Sequence, residues 1–152
     1  MLLERILEKI FLSLGLNREI LLDSLVTGLL LSLDVAHAMH PNHPEKCDIK
    51  NQVIMGDGLC LKLSSSQSYA TDAAYASVIE GLCKAKNIPY RKFSNRSDIR
   101  GGSTLGTIAS AMLNMPAVDA GVPILAMHSS RELSHIQDQI ALENLTAAFF
   151  GA

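Results

Sequence analysis

At 152 residues the chain has room for one domain with a real core and not for two. Hydrophobic residues make up 48% and charged residues 18%, the balance of a core-rich globular chain and not of a disordered one. A net charge of -2, no Lys/Arg run, 5% aromatics and no tryptophan exclude a basic nucleic-acid surface and a base-stacking platform.

The elements read in order as follows. Met1 to Leu14 carries Leu3, Ile6, Leu7, Ile10, Phe11 and Leu14 at spacings of three and four, one face of a helix that Gly15 stops. The charges at Glu4, Arg5, Glu8 and Lys9 interrupt any signal-peptide core. Asn17 caps a second helix, with Glu19 in its first turn, running to about Leu25 or Val26. Gly28 breaks it, and Leu29 to Leu33 then reads as a strand apolar on both faces, a central strand covered by helices. The apolar run Leu25 to Leu33 is too short to span a bilayer, so no membrane role is expected.

Val35 to Gly58 is polar, holds Pro41, Pro44, Gly56 and Gly58, and reads as one long loop of the kind that carries function. Leu59 to Leu63 is a strand. Thr71 or Asp72 caps a helix through about Ala85, ended by Asn87-Ile88-Pro89. Tyr90 to Ser94 is a short strand, Asn95 to Ser103 a polar loop, and Thr104 to Leu113 a small-residue helix. Pro116–Asp119 and Val122–Met127 read as two apolar runs divided at Gly121, and Glu132 to Phe150 as a closing helix. Alternating helix and strand predicts an α/β domain with a largely parallel or mixed sheet, whose sites lie beyond the carboxyl ends of strands. Two strands end in candidate ligands, Asp34 and His128, and their apposition is the sharpest expectation from pattern alone.

Each candidate has a plain reading beside a chemical one. Asp34 follows an apolar strand, where a carboxylate needs a partner: an ion pair with a loop residue such as Arg96, or a metal. His37, His40 and His43 recur every three residues, but Pro41 and Pro44 preclude a helix that would gather them, which favours loop structure over a three-histidine site. His128 either caps the closing helix or serves as a ligand; His135 reads as solvated helix surface. Gly101-Gly102-Ser103-Thr104 opens a helix and offers backbone N–H groups to an anion, without the lysine of a phosphate loop. Cys47, Cys60 and Cys83 contain no CxxC pair and read as reduced thiols of a cytoplasmic protein.

Four ordered segments carry a resemblance: Ser32-Leu33-Asp34-Val35-Ala36-His37-Ala38-Met39-His40-Pro41-Asn42; Lys62 followed by Tyr69-Ala70-Thr71-Asp72; Arg96-Ser97-Asp98 with Gly102-Ser103-Thr104-Leu105-Gly106; and Leu125-Ala126-Met127-His128-Ser129-Ser130-Arg131-Glu132. The chain resembles the aspartyl aminopeptidase and vacuolar aminopeptidase I family of two-zinc exopeptidases over nearly its whole length. The resemblance implies a three-layer α/β/α zinc-peptidase-like domain and removal of N-terminal, preferentially acidic, residues from peptides. It implies Asp34 and His128 as ligands of different zinc ions, and His37, Lys62 and Tyr69 as substrate contacts, with the Gly102–Thr104 turn shaping the pocket wall. The family's other ligands, its general-base glutamate and its inserted second domain belong to sequence upstream of these motifs. Residues 1–152 therefore correspond to the C-terminal part of the catalytic domain, with no catalytic base of their own, and activity is expected to need a complementing N-terminal half. A non-catalytic remnant or interaction module is the alternative. Unpartnered strands should leave apolar surface exposed and favour self-association.

Overall fold

A computed structural model describes residues 2–99 and 101–151. Helices α1 (Leu2–Ser13) and α2 (Arg18–Thr27) touch one another. Asn17 Oδ1 accepts from Ile20 N at 3.0 Å, the expected N-cap, and Arg18 ties the helices by ion pairs to Glu8 at 2.7 Å and Glu4 at 3.3 Å. Leu21 and Leu25 are the buried face of α2; Ile6 and Ile10 of α1 remain 44% and 47% exposed.

Strands β1 (Leu30–His37), β2 (Leu59–Leu63), β3 (Tyr90–Ser94), β4 (Ala117–Leu125) and β5 (Leu133–Ser134) form one mixed sheet of order β1-β4-β2-β3, with β5 on β4. The two long ladders, β1 with β4 and β2 with β3, are parallel; the short ladders of β4 with β2 and with β5 are antiparallel. Helices α3 (Ala73–Ala85) and α5 (Ile136–Gly151) cover one face. There Ile79, Cys83, Ala141 and Leu145 meet Leu59, Leu61, Val118 and Ala120 in the main core. Cys60, pointing the other way as strand alternation requires, joins Ala36, Val53, Tyr69 and Phe93 in a second cluster. Helix α4 (Leu105–Leu113) packs on β1 and β4. Its Gly106 has no room for a side chain: a Cβ would stand 2.5 Å from Asp119 Oδ1 and 2.6 Å from Ser32 Oγ.

Three expectations are corrected. First, β1 does not stop before Asp34 but continues to His37, because Asp34 to His37 pair in register with Gly121 to Ile124. Second, Gly121 does not divide β4. A Cβ there would stand 2.6 Å from Asp34 O, so glycine is what lets the two strands run together at this point. Third, α5 begins at Ile136, and Leu133–Ser134 return along β4 instead of starting the helix. The loop after β1 is also less open than its composition implies. Met39 N donates to Val53 O at 2.7 Å, Asp48 Oδ1 accepts from Lys50 N and Asn51 N, and Pro44–Lys46 is a 3-10 turn.

Outer edges are open: β1 and β3 end the sheet among the described residues. Leu33 is 41% exposed although its sequence neighbours read as a central strand, and Leu105, Ile108 and Met112 form an exposed apolar row on α4. No described helix is long and apolar enough to cross a membrane.

A candidate metal and peptide site where two strands end

Parallel pairing of β1 and β4 brings their carboxyl ends to one edge of the sheet. A cavity of about 510 Å³ opens there, and Asp34, His37, Lys62, Tyr69, Thr104 and His128 line it. All five residues singled out as ligand or substrate contacts therefore share one cavity, although they come from β1, β2, the segment after β2 and the loop after β4.

Lys62 is the hub. It is 3% exposed, and its ammonium donates to Val35 O at 2.9 Å and lies 3.2 Å from Asp34 Oδ1. The Tyr69 ring sits beneath it, 4.9 Å from Nζ to the centroid. Those three contacts hold a charge that burial would otherwise make costly. The partner of Asp34 is thus Lys62 and not Arg96, which binds Asp98 and the Glu45 carbonyl instead. Asp34 also accepts from the N–H of Val35.

Tyr69 is fixed at both ends. Asn95 Nδ2 donates to its hydroxyl at 3.0 Å, and burial pushes the phenol pKa upward. The backbone after it is clamped to β4: Ala70 N donates to Asp119 Oδ2 at 2.6 Å, and Asp119 N donates to Thr71 Oγ1 at 2.9 Å. Asp119 is 1% exposed, and its Oδ1 has no hydrogen-bond partner among the described residues; the same holds for Thr104 Oγ1. Residue pattern gave no sign of Asp119 or Asn95, because each matters only through chain segments far away in sequence.

His37 is held below its ordinary pKa first by burial, then by the nearby His128 and Lys62. His128 stands in the loop from Ala126 to Glu132, which β5 closes back onto β4. Both Ala126 (φ 57°) and His128 (φ 68°) have left-handed backbone, a conformation costing a residue with a side chain about 1 kcal/mol or more. The reading of His128 as a cap of the closing helix is corrected. The helix cap is His135, whose ring Nδ1 accepts from Gln137 N at 3.2 Å. His40 and His43 lie outside this cavity and are engaged locally, His40 Nδ1 with Asn42 N and His43 with Glu45.

A family model described as aminopeptidase I zinc metalloprotease (M18) matches residues 1–150. The chain belongs to the M18 family. It is 46% identical over 136 residues to a probable M18 family aminopeptidase 2 of Clostridium novyi, covering 90% of this chain and 31% of that protein. A protein of the same description from Clostridium acetobutylicum is 41% identical, with 97% of this chain and 34% of the relative covered. Among solved structures, a cryo-EM structure of the Ape4 and Nbr1 complex superposes with a TM-score of 0.92 at 32% identity, covering 97% of this chain and 28% of that one. This M18 chain spans about a third of the length of the curated relatives it matches.

The M18 description names zinc, and the donors here are of the right kind: a carboxylate oxygen and an imidazole. They do not make a site alone. Among the described residues no three His, Cys, Asp or Glu side chains are gathered to hold an ion, whereas catalytic zinc takes about three protein ligands.

Proposed function

We infer that this chain is the substrate-facing part of an M18 zinc aminopeptidase, contributing Asp34 to one zinc ion and His128 to another. The remaining ligands and the general base come from the portion of the M18 sequence that residues 1–152 do not span. The observation that carries this reading is the convergence of Asp34, His37, Lys62, Tyr69 and His128 on one cavity at the ends of β1 and β4. Zinc, when bound, polarises the scissile carbonyl and acidifies a water. This chain's residues bind and orient: His37, kept neutral by its surroundings, offers an imidazole to the peptide, and Tyr69 and Lys62 face the side chain of the residue to be removed. Lys62 supplies a cation for an acidic side chain, which favours peptides beginning with aspartate or glutamate. Three free cysteines fit a reducing, cytoplasmic setting. Exposed apolar residues on α4 and the open edge of β1 support association, either with the complementing portion or with further copies.

Mixing the folded chain with a separately produced N-terminal portion of an M18 relative and zinc should generate cleavage of an aspartyl anilide that neither component shows alone. No gain from two folded components refutes the proposal. A second reading, a non-catalytic interaction module, draws on the Lys62 ammonium that already neutralises Asp34 and on the lack of a third ligand. It predicts no stoichiometric zinc uptake by calorimetry and no effect of the complementing portion.

A further inference from the structure

His128 is unusual in two respects: it has left-handed backbone although it is not glycine, and it sits at the exposed tip of a loop with no helix or strand to hold it. The loop supplies its own braces. Ser129 N donates to Ala126 O at 2.9 Å, closing a turn, and Arg131 N donates to Ser129 Oγ at 3.1 Å. The third brace acts on His128 itself: its N–H donates to Glu132 Oε1 at 2.6 Å, a short charge-assisted bond. The next two residues, Leu133 and Ser134, are locked in register against Leu125 and Ile124. Glu132 thus stands at the fixed root of the loop and grips the residue at its tip.

We propose that Glu132 is the positioning residue for His128. Its carboxylate holds the backbone of His128 in the left-handed conformation that turns the imidazole toward the cavity shared with Asp34. The proposal rests on the reading of His128 as a ligand only for its purpose; the grip itself is a property of this chain. Without an acceptor at residue 132, the N–H of His128 has no partner inside the loop. The residue then relaxes to ordinary backbone, and the imidazole leaves its place.

The test uses the full chain labelled for NMR, as wild type, Glu132→Ala and Glu132→Gln. The glutamine variant keeps an acceptor oxygen at the same reach without the charge. In Glu132→Ala the amide of His128 should exchange with solvent at least tenfold faster, while the strand amides of Ile124 and Leu125 stay protected. Glu132→Gln should recover most of that protection. With the complementing N-terminal portion of an M18 relative present, added zinc chloride should shift the His128 ring proton in wild type, and Glu132→Ala should need at least fivefold more zinc for the same shift. Unchanged His128 exchange in Glu132→Ala, or a glutamine variant no better than alanine, overturns the proposal. A wild-type His128 ring that ignores zinc in that mixture refutes the ligand reading and leaves the exchange comparison to decide the role of Glu132.

Discussion

Asp138 is the residue whose removal the fold should feel most sharply for its size. It lies in the first turn of α5, is 0% exposed, and accepts from Gly58 N and Gly56 N, each at 2.8 Å. Asp138→Ala leaves both donors unpaired. The Gly58 bond is buried, so its loss costs about 2–3 kcal/mol; the Gly56 bond is part-buried and costs about 1 kcal/mol. Relief from desolvating a carboxylate returns part of this, for a net loss of about 2–3 kcal/mol. For a domain of this length that lowers Tm by roughly 8 °C. Urea unfolding followed by circular dichroism measures the free energy, and hydrogen exchange reads the amides of Gly56 and Gly58. Gln139→Ala, on the exposed side of the same turn, is the control and should change stability by no more than about 0.5 kcal/mol. An alanine variant at 138 within 0.5 kcal/mol of wild type, on the same order as that control, refutes the reasoning.

Further expectations follow from the same structure. Gly58 has φ 106° and lies against the Pro89 carbonyl, so Gly58→Ala should cost more than about 3 kcal/mol and leave little folded protein at 37 °C by thermal melt. Glu80 is held below its ordinary 4.5 chiefly by its bond to Lys92, at 2.7 Å. A carboxylate with a lowered folded pKa contributes stability above its ordinary pKa that is lost as pH falls through the folded value. Glu80→Gln should therefore cost about 0.5 kcal/mol at neutral pH and progressively less as pH falls below 4.5, in parallel urea titrations. Burial pushes the Cys60 thiol up to about 12 and the Cys83 thiol to about 11, while Cys47 is only partly covered. Iodoacetamide on the native protein at pH 8 should label Cys47 first, and the other two only in denaturant; equal labelling would show both core clusters to be open.

What pattern reveals here is local. The Asn17 and Asp72 caps, the strands Leu59–Leu63 and Tyr90–Ser94, and the helix α3 stand where spacing and capping chemistry put them. What pattern misses depends on partners distant in the chain. Gly121 reads as a breaker until Asp34 is laid beside it. Asp138 carries no signal inside a helix expected from Glu132 until the Gly56–Gly58 loop, about eighty residues earlier, closes over it. Glu132 reads as the start of a helix until β5 turns back along β4. Asp34 and His128 could be named as strand-end ligand types from sequence, yet Lys62 as the immediate partner of Asp34 needed the β2–β4–β1 order of the sheet.

The pairing of β1 with β4 has a consequence during synthesis. A ribosome releases Leu30–His37 about eighty residues before its sheet partner Ala117–Leu125. Until that segment emerges, an apolar strand bearing half of the candidate ligand pair has no ladder to join. Non-local pairing of this kind is slow and leaves the waiting strand open to other chains. The polypeptide thus has an interval in which a chaperone or a neighbouring copy competes with its own strand β4, and slower translation through residues 40–116 should lower the folded yield.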